Sequence, residues 1–116
     1  MRPDEAPDVT ALLCFSSCPD ATTAQRIADA LVDARLAACV SVLPGVHSTY
    51  RWQGTVERAE EVLLLIKTTQ EALPALQARL PGLHPYELPE VLAVEAAGLP
   101  AYLDWIAREV DARPAP

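Results

Sequence analysis

Lysine is nearly missing from this chain of 116 residues: of its nine Lys and Arg residues only Lys67 is a lysine, against 16 Asp and Glu and a net charge of −7. No basic run exists. A phosphate-backbone partner needs clustered Arg or Lys, so nucleic acid is excluded as a partner. An anionic membrane surface is disfavoured for the same reason. No apolar run approaches the roughly 20 residues that a membrane helix needs. The segment Met1-Arg2-Pro3-Asp4-Glu5-Ala6-Pro7-Asp8 is acidic and lacks the apolar stretch of an ordinary signal peptide, which predicts a cytoplasmic protein. Cysteine is sparse and odd in number. Cys14, Cys18 and Cys39 form no Cys-x-x-Cys pair, which argues against a disulfide framework and against a closed zinc site. Buried free thiols are the plain expectation. There is no Gly-rich phosphate loop. His47 and His84 have no nucleophile at a spacing that suggests a Ser-His-Asp arrangement.

What remains is apolar: 51% of the residues are hydrophobic, enough for one globular domain with a real core. The domain is placed at residues 9–110, with flexible tails at 1–8 and 111–116. Val9 to Ser16 reads as a short buried strand. From Asp20 to Arg35, Ala24, Ile27, Ala28 and Leu31 recur at helical spacing. Ala38 to Trp52 is β-rich and interrupted by Pro44-Gly45, which implies a bulge or an edge position. Gln53-Gly54 reads as a tight turn. Thr55 to Thr69 is a second long strand, apolar at every position from Val62 to Ile66, as in strands buried on both faces. Thr69 then caps a helix carrying Leu73, Leu76, Leu80 and Leu83, with Pro74 in its first turns and Pro81-Gly82 at its end. Val91 to Ala96 is a fourth strand, and Gly98-Leu99-Pro100 opens a last helix. The order β-α-β-β-α-β predicts an α+β, ferredoxin-like fold with a long central β-hairpin, two helices on one sheet face and a C-terminal helix.

The hairpin carries a second consequence. An arm of about 15 residues reaches about 50 Å at roughly 3.3 Å per residue, whereas a compact domain of this size is only about 35 Å across. The tip should overhang its own domain. Two helices cover one face, so the other apolar face needs a further protein surface. Closed self-association is the expected answer.

Several residues stand out as carriers of chemistry. Lys67 ends an apolar strand, where a charge needs a partner. With a two-residue turn at Gln53-Gly54, Val40 faces Lys67; one extra residue at Pro44-Gly45 would put Cys39 there instead. A cation beside a thiol favours thiolate. Tyr50 and Trp52 share one face near the tip and suit an interface. Glu57, Glu60 and Glu61 form an acidic cluster with Arg58, expected to be a solvated face. The run His84-Pro85-Tyr86-Glu87-Leu88-Pro89-Glu90 is a stiff, extended connector that holds an imidazole, a phenol and a carboxylate.

These segments together resemble the CutA family of divalent-cation tolerance proteins. The resemblance rests on Arg35-Leu36-Ala37-Ala38-Cys39-Val40, Leu43-Pro44-Gly45-Val46, Ser48-Thr49-Tyr50-Arg51-Trp52-Gln53-Gly54, the strand from Glu61 to Thr69, the His84-to-Glu90 connector and Tyr102-Leu103-Asp104-Trp105-Ile106. It implies a ferredoxin-like fold, a homotrimer built by strand pairing between subunits, kinship with PII signalling proteins and a link to copper and other divalent cations. It also implies an inter-subunit cleft lined by Cys39, Tyr50, Trp52, Glu61, Lys67, His84 and Tyr86, with His84 and Cys39 as the candidate metal ligands. Some members carry a Cys at the position of Ser16 and a second His at that of Leu83, as proposed copper ligands; of that set only His84 is present here. The expected function is a non-enzymatic trimer that binds copper, another divalent cation or a small ligand. The alternatives are a PII-like signalling module that binds a small molecule, an enzyme using Lys67, His84 and Glu61 as acid–base groups, and a structural trimer that docks a partner.

Overall fold

The computed structural model describes residues 9–111. The tails expected at 1–8 and 111–116 fall outside them, apart from Asp111. The elements are β1 (Ala11–Cys18), α1 (Ala21–Asp33), β2 (Cys39–Trp52), β3 (Thr55–Thr69), α2 (Leu73–Arg79) with a 3₁₀ turn at Leu80–Gly82, β4 (Leu92–Glu95) and α3 (Pro100–Glu109). The four strands make one antiparallel sheet in the order β2-β3-β1-β4. This is the α+β arrangement expected from the order of elements.

Alternation sorts the side chains of β1 and β3 onto two faces. Leu12, Cys14 and Cys18 of β1 and Val62, Leu64 and Ile66 of β3 point inward and are buried. They pack with Ala24, Ile27 and Leu31 of α1 and with Leu76 and Leu80 from the α2 segment. Each fully buried Leu or Ile contributes roughly 1.5–3 kcal/mol. Helix α1 begins where Asp20, extended at φ −155°, accepts a 2.7 Å hydrogen bond from the Thr23 amide. It ends at Asp33, with Ala34 as its C-cap, and the chain then turns through Arg35, whose φ of 60° is left-handed. The Arg35 guanidinium then donates to the carbonyls of Arg108 and Glu109 at 2.8 and 3.1 Å, which ties off the C-terminus of α3.

The expected burial of β3 on both faces is only half met. Leu63 and Leu65 stay half-exposed, because α1 and α2 cover the opposite face. Helix α3 packs on β1 and β3, and its buried Ile106 lies outside the α1–α2 cluster. The paired residues Ala11 and Thr69 point away from that cluster and are also buried. We therefore place α3 over the Ala11–Thr69 end of the second face, leaving the remainder open.

Three boundaries differ from the sequence reading. Strand β1 runs to Cys18, because Ser17 and Cys18 pair with the apolar residues Leu63 and Val62. Thr69 remains the last residue of β3; its hydroxyl accepts from the Ala72 amide at 3.3 Å, closing a turn, and α2 starts only at Leu73. Strand β4 spans only Leu92–Glu95.

The hairpin overhangs as expected. Strand β1 pairs with β3 only up to Val62, so residues 46–61 form a two-stranded ribbon beyond the sheet. The molecule measures 55 × 31 × 23 Å with a radius of gyration of 15.6 Å, against about 13 Å for a compact chain of this length. Gln53 and Gly54 both have positive φ, 50° and 82°, as a type I′ turn requires. A bulge separates the pairs Leu43–Leu63 and Val46–Glu61, with Gly45 at φ 77°. This extra residue places Cys39, not Val40, opposite Lys67.

Candidate functional site

The seven residues expected to line one cleft fall into two groups in the folded chain. The first sits on the open face, where β2 meets β3. Paired residues share a face, so Cys39, Ser41, Leu65 and Lys67 point the same way. The Lys67 ammonium donates to the Ser41 hydroxyl at 2.6 Å and lies 3.8 Å from the Cys39 sulfur. Ser41 was not singled out from the sequence. The signal for it was period two: it stands two residues after Cys39 on one strand.

The second group gathers around the His84–Glu90 connector, which crosses the end of β1. His84 is buried. Its Nδ1 accepts from the Tyr86 amide at 3.1 Å, and an amide N–H can only donate. The ring proton therefore resides on Nε2, which donates to the Ser17 carbonyl at 2.8 Å and lies 3.8 Å from the Cys18 sulfur. Both ring nitrogens are engaged. The Tyr86 ring leans on the imidazole at 4.7 Å between centroids, and its hydroxyl donates to Glu61 Oε2 at 2.6 Å. Burial and this carboxylate raise the Tyr86 pKa well above the ordinary phenol value.

Glu61 does not belong to a solvated acidic face. Glu57 and Glu60 are exposed, but Glu61 is only 8% exposed. It lies at the junction of sheet and ribbon, where the connector covers it. No ion pair joins it to a basic side chain of the described residues. It opens onto a groove of about 610 Å³ bounded by the ribbon arm Ser48–Trp52 on one side and by Tyr86, Glu87, Leu88 and Glu90 on the other. Tyr50 and Trp52 form part of this wall while remaining 44% and 37% exposed. Ser17 completes the floor and donates to Glu90 Oε1 at 3.4 Å.

The residues proposed as metal ligands do not meet within one chain. His84 touches the end of β1 at Ser17 and Cys18, whereas Cys39 faces Lys67, which pairs with Leu13. Five residues of β1 separate the two levels, roughly 16 Å. Among the described residues, no group of three or more His, Cys, Asp and Glu side chains is arranged to hold a metal ion. His84 also has no free lone pair, so the donor set of one chain does not fit a metal. Cys14 and Cys18 are buried thiols whose pKa values burial pushes up to about 11, which disfavours the thiolate that metals need. Ser16, between them on the inner face, is fully buried and its hydroxyl has no hydrogen-bond partner among the described residues. No helix of the described residues is long and apolar enough to cross a membrane.

The model of one protein family, the CutA1 divalent ion tolerance proteins, matches residues 12–109. A divalent-cation tolerance protein CutA from Thermus thermophilus is 52% identical over 89 residues, covering 76% of this chain and 86% of the relative. The chain spans about half the length of the mouse and human CutA proteins that it also matches. Among solved structures, CutA from Xylella fastidiosa is 53% identical with a TM-score of 0.84, over 87% of this chain and 98% of that one. A structure from Archaeoglobus fulgidus described as a periplasmic divalent cation tolerance protein CutA is 31% identical with a TM-score of 0.83, over 87% of this chain and 99% of that one.

Proposed function

The chain belongs to the CutA1 family of divalent ion tolerance proteins, and from that premise we propose that it serves divalent-cation tolerance as a trimeric, non-enzymatic protein that binds a small ligand where the ribbon of one copy meets another. The observation that carries this reading is the ribbon itself. Residues 46–61 form two strands with no third partner, and an isolated two-stranded hairpin is marginal in water. Both of its long edges offer free backbone groups. The aromatic pair Tyr50 and Trp52 stands on it, half-exposed, next to the groove. A sister copy would supply the missing strand and close the groove.

The link to divalent cations then runs through the bound ligand or through donors shared between copies. A copper site on His84 and Cys39 would need both an exchange between subunits and the loss of the imidazole's present hydrogen bonds. A cytoplasmic setting is supported by three free cysteines, although one structural relative is described as periplasmic. Light scattering on a sizing column tests the assembly: three chain masses at micromolar concentration are expected, and a monomer would overturn the reading. Copper titration of the reduced protein tests the ligand assignment. His84→Ala should leave copper binding unchanged, and a loss of binding would return the imidazole to the metal.

A further inference from the structure

Glu61 poses a problem of charge. Glu61 is only 8% exposed, and a carboxylate on so nearly buried a residue is costly unless something neutralises it. Tyr86 supplies one hydrogen bond to Oε2, but a phenol brings no positive charge. No Lys, Arg or His of the described residues pairs with it. The groove above does not supply the missing charge either. Its lining holds three carboxylates, Glu61, Glu87 and Glu90, against the single guanidinium of Arg51, and three aromatic rings, Tyr50, Trp52 and Tyr86.

We propose that this groove binds a small organic cation, with an alkylammonium head on Glu61 and its apolar stem between the aromatic rings. The proposal deepens the ligand-cleft reading above and rests on it. An ammonium has three donors and needs few acceptors, which the free Oε1 of Glu61 and the nearby carboxylates provide. Aromatic faces attract such cations and also accept the methylene stem. A bare divalent ion is the poorer occupant. It requires several oxygen ligands at fixed distances, one Glu61 oxygen is already occupied, and no three-ligand group exists among the described residues. An organic anion is excluded by the sign of the lining.

Calorimetric titration of the full chain with butylamine, phenethylamine and spermidine, against the matched carboxylates butyrate and phenylacetate, tests this. Amines should bind and carboxylates should not. Glu61→Gln keeps an acceptor for Tyr86, and it should weaken amine binding about tenfold or more. Trp52→Leu lies on the ribbon away from the core and should weaken phenethylamine more than butylamine. Equal amine binding by wild type and Glu61→Gln would overturn the proposal, as would carboxylates that bind as well as amines. So would binding of Mn²⁺ or Zn²⁺ alone that disappears in Glu61→Gln. If the cation were instead the single lysine of a second copy, Lys67→Met and Glu61→Gln would both lose trimer mass and amines would not bind, which also overturns it. A trimer of normal mass without amine binding refutes this inference alone; a monomer refutes the reading beneath it.

Discussion

Replacing Ser16 with Ala should stabilise the protein, although it removes a polar group from a residue with no solvent exposure. Ser16 pairs with Leu64 in mid-sheet and points into the core between Cys14 and Cys18. Its hydroxyl has lost water and found no partner among the described residues. An unsatisfied buried hydroxyl costs about 1–3 kcal/mol. Alanine keeps the Cβ and removes only the oxygen, so the cavity term is small and offsets part of this gain. The net expectation is about 1 kcal/mol of added stability, which is a rise of about 4 °C or more in Tm for a domain of this size. Urea unfolding under reducing conditions measures it. Protein concentration must be held fixed, because the proposed association would contribute to apparent stability. Ser16→Thr serves as the control: it keeps the hydroxyl and forces a methyl into a packed site, costing about 1–3 kcal/mol. A loss of about 1 kcal/mol in Ser16→Ala would refute the reasoning, since the hydroxyl would then have a partner worth keeping.

Other perturbations have equally definite signs. The Cys14 and Cys18 thiols are held neutral by burial, with pKa values raised from 9.0 to about 11; for Cys18 the charges of Asp20 and Glu61 add to the effect. A raised folded pKa gives stability that is fully present below about 9 and lost as pH rises through about 11, at most about 2–3 kcal/mol per thiol. Urea midpoints should therefore fall between about pH 9 and 11, and Cys18→Ala should flatten the fall. Tyr86→Phe deletes the donor to a nearly buried carboxylate and should cost about 1–3 kcal/mol in chemical unfolding; an unchanged midpoint would mean that Glu61 relaxes into water. Gly54→Ala at φ +82° meets no steric obstacle, so its cost is conformational, about 1 kcal/mol, whereas Gln53→Asn should stabilise the same turn by a few tenths. Thermal melts of the pair should move in opposite directions.

The legible parts of the fold were those set by local chemistry. The spacing of Ala24, Ile27, Ala28 and Leu31 gave the buried face of α1, and those four residues are its buried set. The turn at Gln53-Gly54 fixed the hairpin register as far as the bulge, and Pro44-Gly45 flagged the bulge itself. The end of β1 was not legible, because Ser17 and Cys18 are held in the strand by pairing with distant Leu63 and Val62. The burial of Glu61 was hidden for a similar reason. Among Glu57, Glu60 and Glu61 nothing local distinguishes the third; the connector that covers it arrives 25 residues later, through Tyr86. The same long-range contact delivered His84 to Ser17 and Cys18 instead of leaving it open to a ligand.

The spacing of the two polar groups also bears on catalysis. Glu61 and Lys67 lie six positions apart on one strand with the same face in common, roughly 20 Å apart. A general acid and a general base must both come within about 3 Å of the atoms they serve. One chain therefore cannot bring Lys67 and Glu61 to a single reacting atom, and His84, with both nitrogens engaged, is no bridge between them. Acid–base chemistry by these three residues demands two copies arranged so that the Lys67 end of one reaches the groove of the other. That demand is testable without knowing a substrate. Any turnover found for the protein should vanish on dilution to the monomer. It should return when Glu61→Gln and Lys67→Met chains are mixed, because mixed assemblies of the proposed kind would contain some interfaces with both native residues. Activity that survives dilution, or that mixing fails to restore, would place the chemistry on other residues.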